Sequence, residues 1–138
     1  MKIVIGGSMA FAKEQVEAMR ILKNRGFEVL ATENIEKYVD TPAIKSSFDE
    51  ELKISLEYDI MRDFFNKIAE SDAFLVMNYP KKGIEGYLGA SVLMEMGLAY
   101  YLKKKIFLLF QVDQEQSYAL ESAIIDPIVL NGDLNKIN

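Results

Sequence analysis

The chain has 138 residues, half of them hydrophobic and 27% charged, with a net charge of −5, a composition that suits one soluble globular domain with a single sizeable core. It contains no cysteine and no histidine, which excludes disulfide frameworks, thiolate metal centres and every hydrolytic mechanism that needs an imidazole base, and argues against a zinc site. The acidic balance offers no basic surplus to neutralise phosphates, so a nucleic-acid partner is not expected.

Met1-Lys2 runs straight into a strand, Lys2-Ile3-Val4-Ile5, with none of the basic region, long apolar core and small-residue cleavage site of a signal peptide. That strand ends at Gly6-Gly7-Ser8. A helix follows from Phe11 to Asn24, with Phe11, Val16, Met19, Ile21 and Leu22 roughly on one face, and Gly26 stops it. Phe27-Glu28-Val29-Leu30 reads as a second strand. Glu33 to Lys45 is polar, carries Pro42 and predicts an irregular excursion. Ser46 or Ser47 then caps one long helix reaching Glu70, in which Leu52, Leu56, Ile60, Phe64 and Ile68 repeat every four residues.

Ala73-Phe74-Leu75-Val76-Met77 is a continuous apolar run, as expected of a central strand buried on both faces. After the loop from Asn78 to Gly89 come an apolar helix, Ala90 to Leu102, and a strand, Ile106 to Phe110. A helix around Glu115 to Ile124, a short strand from Pro127 to Leu130 and a turn at Asn131-Gly132-Asp133-Leu134 complete the chain. The longest apolar region, Gly86 to Phe110, is interrupted by Glu95 and by Lys103-Lys104-Lys105. Neither half reaches the ~18 to 20 apolar residues of a membrane span. The expectation is one cytoplasmic domain, residues 1–138, with no membrane contact.

Strand and helix alternate throughout, which predicts an α/β three-layer sandwich, flavodoxin-like or Rossmann-like, with a five-stranded parallel sheet in the order 2-1-3-4-5. Ligands of such sheets bind beyond the strand carboxyl ends at the switch point between the first and third strands. The segments meeting there are Gly7-Ser8-Met9 and Asn78 onward. Neither Gly-x-Gly-x-x-Gly nor Gly-Lys-Ser/Thr is present, so no dinucleotide or nucleoside triphosphate cofactor is predicted. The Gly6-Gly7-Ser8-Met9 turn is either a tight strand-to-helix connection or a small nest for a phosphate or a ribose hydroxyl.

Between Gly86 and Leu102 the only charged side chain is Glu95, among Leu93, Met94, Met96, Leu98, Tyr100 and Tyr101. A helix apolar on nearly every side is expected to be packed on nearly every side. A lone carboxylate there is costly unless something uses or pairs it. Ser91 and Ala99, one turn to either side, leave open space around it. Gly86 and Gly89 let the backbone pass close to a ligand, and Ser91 is a candidate cap for the helix. In the preceding long helix Asp59, Asp63 and Asn66 share a stripe. Counting back ~13 helical residues along a strand of ~20 Å puts Asp59 near the carboxyl edge of the sheet and Asp63 about one turn lower. Either could orient a sugar.

Ser71-Asp72-Ala73 leading the apolar strand, followed by Tyr87-Leu88-Gly89-Ala90-Ser91-x-x-Met94-Glu95-Met96-Gly97-x-Ala99-Tyr100, resembles the nucleoside 2-deoxyribosyltransferase superfamily, which includes the deoxynucleoside monophosphate N-glycosidases. Ile5-Gly6-Gly7-Ser8 and Lys105-Ile106-Phe107-Leu108-Leu109 extend the likeness over the whole chain. The resemblance implies that Glu95 is a nucleophile attacking the anomeric carbon of a (deoxy)nucleoside or its monophosphate, with a helix N-terminus keeping it ionised and an apolar wall keeping it reactive. It implies a small-molecule nucleoside or nucleotide ligand, no cofactor, no metal, and assembly as a dimer or larger homo-oligomer. It also implies that Ser8 contacts a phosphate and that a helix aspartate nearest Asp63 orients the sugar.

The chain departs from the family at three places. Gly89 stands where an aspartate or serine precedes the glutamate by six residues, with Ser91 two residues later. Ala10 stands where the hydrolases carry a phosphate-gripping arginine, with Lys13 as a candidate substitute. The loop Tyr79 to Tyr87 is longer than in the hydrolases. These departures leave a second reading open, a non-catalytic nucleotide-binding or sensing domain of the same fold, and a third in which the apolar helix is an oligomer interface.

Overall fold

A computed structural model describes residues 1–40 and 47–138. Five parallel strands, β1 (Lys2–Gly6), β2 (Glu28–Leu30), β3 (Ala73–Val76), β4 (Lys105–Leu108) and β5 (Ile128–Val129), form one sheet in the order β2-β1-β3-β4-β5. This is the expected flavodoxin-like order. The register sets Ile3 beside Ala73 and Gly6 beside Val76, so β1 and β3 end level with each other. The chain leaves β1 toward β2 on one side and returns to β3 on the other, which opens the switch-point crevice between them.

The three inner strands are buried on both faces, and their side chains alternate between two cores. Ile3, Ile5, Leu75, Met77, Phe107 and Leu109 face α1 (Ala12–Asn24) and the C-terminal turn around Leu134 and Ile137. Val4, Phe74, Val76, Ile106 and Leu108 face α3 (Ile60–Glu70), α4 (Ala90–Tyr101) and α5 (Ala119–Ile125). Helices therefore cover both faces, completing three layers. Among the described residues no helix is long and apolar enough to cross a membrane.

The single long helix expected up to Glu70 is instead two helices, α2 (Phe48–Tyr58) and α3, broken at Asp59 in the left-handed conformation with φ 48°. The reason is geometric. A stripe repeating every four residues drifts ~40° per step around a helix of 3.6 residues per turn, or ~160° from Leu52 to Ile68. Phe64 and Ile68 reach the sheet, whereas Leu52, Leu56 and Ile60 are exposed. Ser47 caps α2 by accepting from the Glu50 amide. The alternative cap, Ser46, and Pro42 of the expected excursion lie outside the described residues.

Smaller differences follow the chain's turn chemistry. The stretch expected to begin a helix at Glu115 runs through turns until Tyr118, because Asp113 takes the Glu115 amide and the Gln116 amide folds back on the Asp113 carbonyl. The expected turn at Asn131-Gly132 forms, with both residues at positive φ, and Asp133 caps a final 3-10 turn, Leu134–Lys136.

Candidate functional site

The β1 strand ends at Gly6, and Gly7 turns the chain with φ 142°; a Cβ there would lie 3.0 Å from the Met77 carbonyl oxygen. The close approach of the two strand ends thus requires glycine at this position. Ser8 caps a 3-10 turn, Met9–Phe11, accepting from the Ala10 amide at 3.2 Å. Gln15, fully buried on α1, fastens the turn from beneath by donating to the Ser8 carbonyl at 2.9 Å.

Asn78 closes the end of β3. Its Nδ2 donates to the Phe110 carbonyl at 2.8 Å, and the Phe110 amide donates to its Oδ1 at 2.9 Å. This buried side chain therefore ties the end of β3 to that of β4, and its amide group is committed to backbone rather than offered to a ligand. Tyr79 packs between Phe11, tilted at 5.1 Å, and Phe110, edge-to-face at 5.4 Å between ring centroids. Burial, and then the charge of Glu14, push its phenol up from the usual tyrosine range.

Beyond Tyr79 the chain makes a tight hairpin in which Lys81 and Ile84 exchange backbone hydrogen bonds across Lys82 and Gly83, both at positive φ. Gly86, at φ 62°, lies so close to the segment after β4 that a Cβ would fall 2.1 Å from the Gln111 carbonyl oxygen. Its close approach is to the protein's own backbone, not to a ligand as the sequence suggested. Tyr118 anchors the same segment, its hydroxyl accepting from the Leu88 amide at 3.1 Å.

Gly89, and not Ser91, is the N-cap of α4, and no side chain caps it. The Leu93 amide is the first to find its partner, the Gly89 carbonyl. The amides of the first turn are thus left to solvent or to a ligand, at the positive end of the helix dipole.

Glu95 is the sixth residue of α4, past the first turn where the dipole would hold it ionised. Burial pushes its carboxyl up to about 8 from the usual 4.5, and burial is the sole cause. This corrects the expectation that the helix N-terminus keeps it charged. The helix is also not packed on every side. Val92, Met96 and Ala99 are buried, but Met94, Tyr100 and Tyr101 are exposed.

A cavity of about 340 Å³ joins these parts at the switch point, lined by Gly7 and Ser8 after β1, by Asn78 and Tyr79 after β3, and by Gly89, Ser91 and Glu95 on α4. Six of the nine residues singled out in the sequence thus line one cavity: Gly7, Ser8, Asn78, Gly89, Ser91 and Glu95. Met9, Asp59 and Asp63 do not line it. Met9 packs with Ala12, Ala31 and Ile35. Asp59 marks the helix break and pairs with Arg62 at 2.9 Å, and Asp63 pairs with Lys67 at 3.0 Å. The counting placed Asp59 at the sheet edge on a straight helix, which this helix is not.

Lys81 and Tyr87 line the cavity and were not singled out. The signal for Lys81 was present, since Lys82-Gly83 is a turn pair that folds its neighbour back over the crevice. Lys13, the candidate substitute cation, is exposed on α1 and is not part of the wall. Among the described residues Glu95 is the only carboxylate in the lining, and no group of acidic side chains gathers where a metal ion could be held.

No family model matches the chain, and no curated protein matches it significantly. Solved structures similar in fold include the following two. One is the Clostridium botulinum CMP N-glycosidase BcmB, 18% identical over 94% of this chain and 85% of that one, with a TM-score of 0.49. The other is a conserved protein from Enterococcus faecalis V583, 15% identical over 90% of this chain and 72% of that one, also with a TM-score of 0.49.

Proposed function

We propose that this chain cleaves or transfers the N-glycosidic bond of a (deoxy)nucleoside or nucleoside monophosphate, with Glu95 as the nucleophile. The observation that carries the reading is a single half-buried carboxylate in a cavity that also holds the Ser8 hydroxyl and the uncapped amides of α4. An ionised Glu95 oxygen attacks the anomeric carbon, and the bond to the base breaks with its electron pair leaving on the base nitrogen, which takes up a proton from water. The glycosyl ester is then opened at the same carbon by water or by the nitrogen of an incoming base, and Glu95 departs as a carboxylate.

Burial makes the ionised form costly, and this serves the reaction. A poorly solvated carboxylate is a stronger nucleophile, and it gains most from the positive charge that develops on the sugar in the transition state. The hydroxyls and any anionic group of the substrate would meet Ser8, Gly7 and the amides at Gly89 to Ser91.

The reading is tested by incubating the chain with deoxynucleosides, ribonucleosides and their monophosphates, with and without free bases, and following base release by chromatography. Glu95→Ala is expected to lose on the order of 10³-fold or more in kcat/KM. No release from any substrate by the wild type, or equal release by Glu95→Ala, overturns it. A second reading, a binding domain without turnover, has one observation in its favour: among the described residues no second carboxylate lines the cavity to orient the sugar or protonate the base. Tight nucleotide binding with no base release would select it.

We also propose that the chain self-associates. All of α2 is exposed, including Phe48 at 78% and Leu56 at 72%, and α4 exposes Tyr101 at 80%. A helix of 11 residues with no buried side chain has little to hold it in one isolated chain.

A further inference from the structure

The cavity wall carries the ionisable side chains of Glu95 and Lys81. Lys81 points its ammonium into it from the hairpin after β3, 3.0 Å from the Ser8 hydroxyl oxygen and 5.8 Å from the centre of the Tyr87 ring. Both of those neighbours are neutral. The ion pairs among the described residues include Lys2–Glu28, Arg20–Glu17, Arg62–Asp59, Lys67–Glu33 and Lys67–Asp63, and Lys81 is in none of these. An ammonium with three hydrogens and one acceptor has two donors left. The Ser8 oxygen already accepts from Lys81 and from the Ala10 amide, so its own hydrogen remains for a ligand.

A partly buried cation held by a hydroxyl and an aromatic face, with spare donors turned to an open cavity, has the makings of an anion site. We infer that Lys81, acting with the Ser8 hydroxyl, is the residue that makes the substrate a phosphate ester, a nucleoside 5′-monophosphate rather than a neutral nucleoside. The inference deepens the proposed function and rests on the substrate occupying this cavity. It gives the anion-binding role to the hairpin after β3, not to the helix after β1. The phosphate of the ligand then meets Lys81 and Ser8, and its anomeric carbon meets Glu95. The hairpin fixes the lysine, because its Lys82-Gly83 turn leaves the backbone of residue 81 hydrogen-bonded on both its amide and its carbonyl.

Calorimetric titration of the full chain with deoxynucleosides, their 5′-monophosphates and inorganic phosphate, at matched ionic strength, tests this. The wild type is expected to bind the monophosphate ~10- to 100-fold more tightly than the nucleoside. K81M is expected to abolish that ratio, K81R to keep most of it, and K82M, which removes an equal charge from outside the cavity wall, to leave it intact. K81Q repeats the measurement should K81M fail to fold. Equal affinities in the wild type, or a preference that survives both K81M and K81Q, overturns the inference. Base release is followed separately. Lys81-dependent phosphate binding without Glu95-dependent release sinks the proposed reaction and leaves the anion site standing, whereas Glu95-dependent release with no phosphate preference does the reverse.

Discussion

Glu95 binds its proton more tightly in the folded chain than in the unfolded one, and this has a sign that can be measured. Its carboxyl is pushed from 4.5 up to about 8, so between these values the native state holds more protons and stability falls as pH rises. Replacing it with glutamine removes the penalty. Glu95→Gln is expected to be as stable as the wild type near pH 4.5 and more stable by a few kcal/mol at pH 9, at ~1.4 kcal/mol for each unit of displacement. Melting curves across that range check it. The same carboxyl sets the pH profile of the proposed reaction. The nucleophile is the ionised form, so kcat/KM is expected to rise tenfold per unit below about 8 and level off above it. A profile flat from pH 6 to 9 would argue against that role. Gly86 is the other residue whose environment decides its identity. With φ at 62° and a carbonyl 2.1 Å from any Cβ, Gly86→Ala is expected to cost ~2 to 4 kcal/mol in denaturant titrations, by forcing the loop off the backbone at Gln111.

At the scale of elements, the break between α2 and α3 turns on one residue. Asp59 holds a left-handed conformation that glycine adopts without steric cost, and its ion pair with Arg62 is exposed and worth little. Asp59→Gly is therefore expected to leave stability within ~1 kcal/mol of wild type, while Asp59→Val, β-branched and averse to positive φ, is expected to lose ~1 to 2 kcal/mol in chemical denaturation. The four-residue repeat from Leu52 to Ile68 is legible in the sequence, but it does not mark one face of one helix. Its drift of ~40° per step already excluded a common face. α4 lines the switch-point cavity, but it is not buried all round as its composition suggests. Composition cannot tell a helix enclosed by its own chain from one that leaves an apolar side uncovered.

At the scale of the whole molecule, the exposed apolar side chains of α2 and α4 make self-association the expected state. Sedimentation equilibrium across a hundredfold range of concentration is expected to give a mass above 15.7 kDa, and Leu56→Asp with Tyr101→Asp is expected to shift the population toward the single chain. A wild type that stays at one chain mass throughout would refute this. The sequence by itself determined the sheet order, the switch-point location and the lone carboxylate of the apolar helix, because alternation of periods and a continuous apolar strand follow from local pattern. Only the tertiary structure decided which polar groups share the cavity. Asn78 turned inward to the Phe110 backbone, Asp59 and Asp63 paired locally with Arg62 and Lys67, and Lys81 was folded over Ser8 from 73 residues away. Such pairings depend on where turns and helix breaks aim each side chain. The left-handed φ at Asp59 and Lys82, ~110° from the helical value, sets where the flanking side chains go, and no spacing counted along the chain reveals it.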